Sequence, residues 1–98
     1  MIRHVVLFQW KAGTTEAQIT ECFRELAALK GKIPGLQQYE AGPYSSPEGL
    51  NQGYTHGFIM TFADAGSRNA YLPHPEHERV KSVVVPHVAS VIAFDFVV

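Results

Sequence analysis

Five histidines stand in a chain of 98 residues. The segment Tyr71-Leu72-Pro73-His74-Pro75-Glu76-His77 gathers two of them beside a tyrosine. Imidazole changes charge near neutral pH, so a histidine in suitable surroundings takes a proton from carbon or gives one to oxygen. A tyrosine hydroxyl beside it can hold the oxyanion that such a step creates. If Pro75 is the first residue of a helix, His77 falls in the first turn. There the positive end of the helix dipole disfavours an imidazolium and keeps the ring a neutral base. His77 is therefore the candidate base and Tyr71 its partner. His4 and His56 join them if their strands turn even positions toward the helices. Phe8 and Phe58 share that face, and Phe23 lies on the apolar stripe of the helix above it, so these three are candidate substrate-lining residues.

The same rings have a structural reading. Buried histidines often tie a strand end or a helix break to a backbone group, and a tyrosine on a helix face is ordinary core. His74 fits that reading as a cap at the break, and His87, after Pro86, as a surface residue where the last strand begins. Cys22 lies on an apolar stripe and reads as small core filler. No protein-bound metal is expected: His74-Pro75-Glu76-His77-Glu78 is not the H-E-x-x-H pattern, and one cysteine cannot build a structural zinc site. No cofactor is expected either, since Gly49 to Gly53 lacks the strand-to-helix setting of a phosphate loop.

Composition narrows the function classes. Hydrophobic residues make up 46% and charged residues 17%, the balance of one folded domain spanning residues 1–98. A net charge of −1 without a run of Lys or Arg argues against nucleic acid as a partner. Nothing approaches the roughly 20 apolar residues of a membrane span. The opening apolar run is too short for a signal segment. The lone Cys22 excludes an internal disulfide and suits a reducing compartment, so a cytoplasmic location is expected.

The elements that must position these side chains follow from periodicity. Residues 2–10 alternate as a strand with apolar residues on both faces. Thr14 or Thr15 caps a helix from about Glu16 to about Lys30, with Thr15-Glu16-Ala17-Gln18 in capping-box form. Leu36 to Ala41 reads as a polar edge strand, residues 42–53 as a long loop and Tyr54 to Ala63 as a clear strand. Asp64 caps a short helix toward Tyr71, Pro75 opens another that ends before Pro86, and Val88 to Val97 is the last strand. The order β-α-β-β-α-β is the ferredoxin-like α+β unit, an antiparallel four-stranded sheet with helices on one face. Its other face carries Val5, Leu7, Ile59, Ile92, Phe94 and Phe96. An apolar face of that extent marks an interface, so the predicted partner is a second copy packed sheet to sheet.

Several segments carry a family likeness. His4-Val5-Val6-Leu7-Phe8, Ile33-Pro34-Gly35, Gly53-Tyr54-Thr55-His56-Gly57, Tyr71-x-x-His74-Pro75-x-His77 and Phe94-Asp95-Phe96 together resemble the stress-responsive A/B barrel domain family. The resemblance covers nearly the whole chain. It implies a dimeric α+β barrel of two ferredoxin-like subunits. It also implies kinship with polyketide-cyclising members, which close a linear chain by aldol condensation. On that likeness His77 corresponds to the general base, Tyr71 to its supporting tyrosine, and His4 and His56 to cavity histidines. Leu26 stands where such a cyclase has a further tyrosine and Val88 where it has a tryptophan, so pocket and substrate differ.

The expected function is a homodimer with a cavity in each subunit for a small hydrophobic or aromatic carbonyl compound, and cofactor-free acid–base chemistry of cyclase or lyase type. Two alternatives stand beside it. One is a non-enzymatic stress or assembly dimer, with that space filled by side chains. The other is a cofactor-free monooxygenase-like protein, by analogy of fold alone.

Overall fold

Period-two alternation on both faces of a strand requires cover on both sides, and the architecture supplies cover on one. The computed structural model describes residues 1–98. Its elements are β1 (Ile2–Trp10), α1 (Glu16–Ala28), β2 (Leu36–Pro43), β3 (His56–Phe62), α2 (Ala65–Tyr71), α3 (Pro75–Val84) and β4 (Val88–Val97). The ferredoxin-like order is present, with the second helix split in two. Short 3-10 turns follow α1 and α3; the first, Leu29–Gly31, replaces the last α-helical turn expected to reach Lys30. The four strands lie in the order β2-β3-β1-β4, every neighbouring pair antiparallel. The polar strand β2 is an edge, as its glutamines and glutamate suggest.

Helices cover the face that carries the even positions of β1 and β3. Val6, Phe8, Phe58, Met60 and Phe62 are buried there beneath Cys22, Leu26, Leu29 and Val80. Each such side chain contributes roughly 1.5–3 kcal/mol through removal from water. Thr15 caps α1 with the full reciprocal box, its side chain accepting from the Gln18 amide and its own amide donating to Gln18. Asp64 caps α2 by accepting from the Ser67 amide. The first turn of α2 rests directly on the turn after α1. Gly35 there has φ +82°, and a Cβ on it would sit 2.2 Å from the Ser67 hydroxyl oxygen. Only glycine permits both that backbone and that approach.

The opposite face is uncovered. Leu7, Ile92, Phe94 and Phe96 are exposed, Phe94 by 65%. No helix of the chain is long and apolar enough to cross a membrane.

Candidate functional site

The site is built at the break between α2 and α3. Pro73 and Pro75 have no amide hydrogen, so a helical ladder cannot run through them. His74 between them is extended, φ −61° and ψ 136°, as the residue before a proline prefers. Its Nδ1 accepts the Glu76 amide at 3.1 Å and caps α3. The structural role expected of His74 is therefore observed.

His77 occupies the first turn of α3. Its Nδ1 lies 2.9 Å from the Leu72 carbonyl, one of the acceptors left orphaned at the end of α2. A carbonyl only accepts, so the ring proton is on Nδ1 and Nε2 is left bare. Burial lowers the pKa of His77; Lys81 and His4 push the same way, against the Leu72 carbonyl and Glu78. The ring is thus neutral at pH 7. Tyr71 stacks on it, centroids 4.1 Å apart and planes 28° from parallel. Tyr71 is buried, and burial together with nearby Tyr39 holds its hydroxyl protonated well above the usual phenol range. It is a hydrogen-bond donor at any physiological pH.

These groups meet an apolar cavity of about 440 Å³ between the covered sheet face, α3 and the start of β4. His4, Phe8, Phe58, Tyr71 and His77 all line it, with Leu26, Val80, Val84 and Val88 as apolar wall. Leu26 and Val88 are positions at which the resemblance implies a different pocket. Both face the cavity, so both shape what fits. His4 lies edge-on to Tyr71 at 6.0 Å, placing three rings in a row along one wall.

Phe23 and His56 are not among the cavity-lining residues. His56 sits opposite Phe8 in the β1–β3 register, four positions from the Met60 that pairs with His4. That is about 13 Å along the strand. Trp10 donates its indole N–H to His56 Nδ1 at 3.1 Å, and Phe23 packs on both rings at 6.1 and 5.8 Å. They form an aromatic cluster beside the cavity, joined to it through Phe8 stacked on Trp10.

Two polar residues at the site had no role assigned from sequence. Asp95 on β4 pairs with His4 in register and accepts from its Nδ1 at 2.6 Å. Arg68 on α2 donates to the other Asp95 oxygen at 2.5 Å. Desolvation would raise Asp95, but the His4 and Arg68 hydrogen bonds prevail and hold it below the ordinary carboxylate value. One signal was available: an acid on the helix-facing side of an otherwise apolar strand must be paired. Tyr39, on the same sheet face and packed on Phe58, keeps a buried hydroxyl without a partner, and burial pushes its pKa up to about 12.

Known proteins share this arrangement of strands and helices. The family model for the stress responsive A/B barrel domain matches residues 2–98. The stress-response A/B barrel domain-containing protein HS1 of Arabidopsis thaliana is 30% identical over 95 residues, 97% of this chain and 87% of that protein. Olivetolic acid cyclase of Cannabis sativa is 26% identical, covering 97% of this chain and 94% of its own. A dimeric ferredoxin-like protein of Jannaschia sp. CCS1 superposes with a TM-score of 0.88 at 27% identity, over 99% of this chain and 98% of that one. With the motifs, the fold and a family match over nearly every residue in agreement, the chain belongs to the stress-responsive A/B barrel domain family.

Proposed function

We propose that the chain is a homodimer joined through its uncovered sheet faces, and that each subunit binds a small hydrophobic or aromatic carbonyl compound and removes a proton beside the carbonyl without a cofactor. The observation that carries this reading is that His77 and Tyr71, stacked with centroids 4.1 Å apart, both line one apolar cavity, with His77 Nδ1 committed to the Leu72 carbonyl so that Nε2 is the nitrogen left for a substrate. His77 takes the proton, and the carbonyl oxygen gains charge as the enolate forms. Tyr71 donates to that oxygen, where a fixed dipole in dry surroundings is worth more than in water. The relation to a cyclase agrees with enolate chemistry. A cavity of about 440 Å³ is an ordinary size for a small-molecule site.

The test is hydrogen–deuterium exchange at the benzylic carbon of phenylacetone in D2O, followed by NMR. Wild type accelerates exchange above buffer. His77→Ala abolishes the acceleration, and Tyr71→Phe reduces it by roughly 100-fold. Exchange that survives intact in His77→Ala refutes the assignment of the base. Ligand-induced stabilisation without exchange moves the weight to a binding protein. Oxygen uptake with an aromatic substrate in place of exchange supports the monooxygenase-like alternative.

A further inference from the structure

We propose that Asp95, anchored by Arg68, is a positioning residue that fixes His4 with its Nε2 toward the cavity, making His4 a second proton-handling group beside His77. The catalytic half of this inference rests on the proton-abstraction reading above; the positioning half does not.

The geometry is that of a half-buried relay. A carboxylate can only accept, so the 2.6 Å contact with His4 requires the ring proton on Nδ1. The second carboxylate oxygen is held by Arg68 Nη1 at 2.5 Å, which leaves Asp95 no freedom to turn away. Arg68 is itself steadied by its Nε donating to Asn69 at 2.8 Å. All three side chains are withdrawn from solvent: 10% exposed for His4, 23% for Asp95 and 24% for Arg68. Phe58, Phe62 and Tyr71 wall the ring at 6.0, 6.3 and 6.0 Å, so packing and hydrogen bonding specify the same rotamer.

A half-buried salt bridge of this kind adds little to stability compared with apolar packing. Three chain segments nevertheless converge to build it, and the ring it orients lines the cavity. The groups around His4 are Asp95 from β4, Arg68 and Tyr71 from α2, His77 from α3 and, one strand beyond Met60, Tyr39 from β2. His77 and His4 are thus held by different acceptors, a neutral carbonyl and a carboxylate, with Nδ1–H fixed in both.

The proton balance is simple. His77 Nε2 takes the proton from carbon, and the carbon's bonding pair moves into the enolate. Tyr71 donates its hydroxyl hydrogen bond to the oxygen that has gained charge. His4, whose Nε2 is bare in the Nδ1–H tautomer, accepts the proton that His77 has gained, while its Nδ1–H stays on Asp95 and the carboxylate balances the charge. Solvent then takes that proton from His4 and supplies the one that returns to the enolate carbon, and no oxidant or reductant takes part.

The first test is a 15N–1H correlation spectrum of histidine-labelled protein, which reads the tautomer of each ring directly. The expected result is Nδ1–H at His4 in wild type, loss of that single tautomer in Asp95→Asn, and no change at His77. An Nε2–H tautomer in wild type, or an unaltered His4 in Asp95→Asn, overturns the positioning role. Arg68→Met is the second variant should Asp95→Asn fold poorly; it keeps the acceptor and is expected to broaden the His4 signals between tautomers. For the catalytic half, Asp95→Asn should lower kcat for phenylacetone exchange by at least roughly tenfold with KM unchanged, and an unchanged kcat overturns it. If wild type exchanges nothing, the proton-abstraction reading and this half fall together, while the spectrum still decides the positioning claim.

Discussion

The two faces of one sheet are made of similar residues and meet opposite fates. Along β1, His4, Val6 and Phe8 are buried under helices, whereas Leu7 between them is exposed. On β4, Phe94 and Phe96 are bare while Asp95 between them is paired and drawn inward. The difference is topological. Both helical crossovers of the ferredoxin-like unit lie on one side, so alternation with apolar residues on both sides leaves one face unfinished. The covered face has gathered polar groups into a cavity, where a low dielectric strengthens them. The uncovered face has gathered aromatic rings, which suit a second protein surface.

Breaking the uncovered face should give the largest effect. Phe94→Asp places a carboxylate at the centre of the proposed interface, where an unpaired buried charge costs about 3–5 kcal/mol. Sedimentation should show the dimer dissociating at concentrations roughly 100-fold or more above those at which wild type does. The isolated subunit should keep its cavity, since Phe94 points away from it. A variant that remains dimeric would mean that another surface joins the subunits.

A smaller effect separates the faces within one strand. Met60 and Ile59 are neighbours on β3, Met60 fully buried and Ile59 on the far side. Met60→Ala should cost about 2–5 kcal/mol in urea unfolding, as large-to-small core changes do. Ile59→Ala in the Phe94→Asp background should cost less than half of that, because no partner covers it there. Equal losses would show that the uncovered face is packed within one chain.

The faces were legible in the sequence and the positions along them were not. Alternation alone assigns His4 and His56 to the covered side, and it assigns both correctly. It cannot say which end of a strand lies under the helix break. That depends on register, which brings His4 beside Asp95 across 91 positions and leaves His56 to Trp10 across 46. Caps are local, so Thr15, Asp64 and Pro75 could be read directly. Arg68 could not: an exposed-looking arginine in a short helix declares its partner only when β4 closes the sheet.

The roof of the covered face should be sensitive at a single point. Gly35→Ala forces a Cβ into Ser67 and into a left-handed backbone. The backbone part alone costs about 1–2 kcal/mol. Gly42 on β2 has open space around it, so Gly42→Ala is the control and should be nearly neutral. Because α2 carries both Tyr71 and Arg68, Gly35→Ala should also disturb the His4 spectrum, whereas Gly42→Ala should not.

The smallest expected effect is a pH dependence, and its sign follows from His77. Its folded pKa lies below that of an unfolded histidine, about 6.5. Between the two values the unfolded chain binds more protons, so stability rises with pH there. The contribution is complete above about pH 6.5 and is lost as pH falls through that window, by at most about 1.4 kcal/mol per unit. Asp95, also depressed, acts with the same sign in a separate window, its contribution lost only as pH drops below the unfolded carboxylate value of about 3.9. Urea midpoints of wild type should therefore fall from pH 7 to pH 5.5 more steeply than those of His77→Phe, which keeps a ring against Tyr71 but cannot titrate. The two should differ little in slope between pH 4.5 and pH 3.5, where Asp95 still responds in both. Parallel curves from pH 7 to pH 5.5 would mean that His77 is as well solvated folded as unfolded, and the covered face would lose its neutral base.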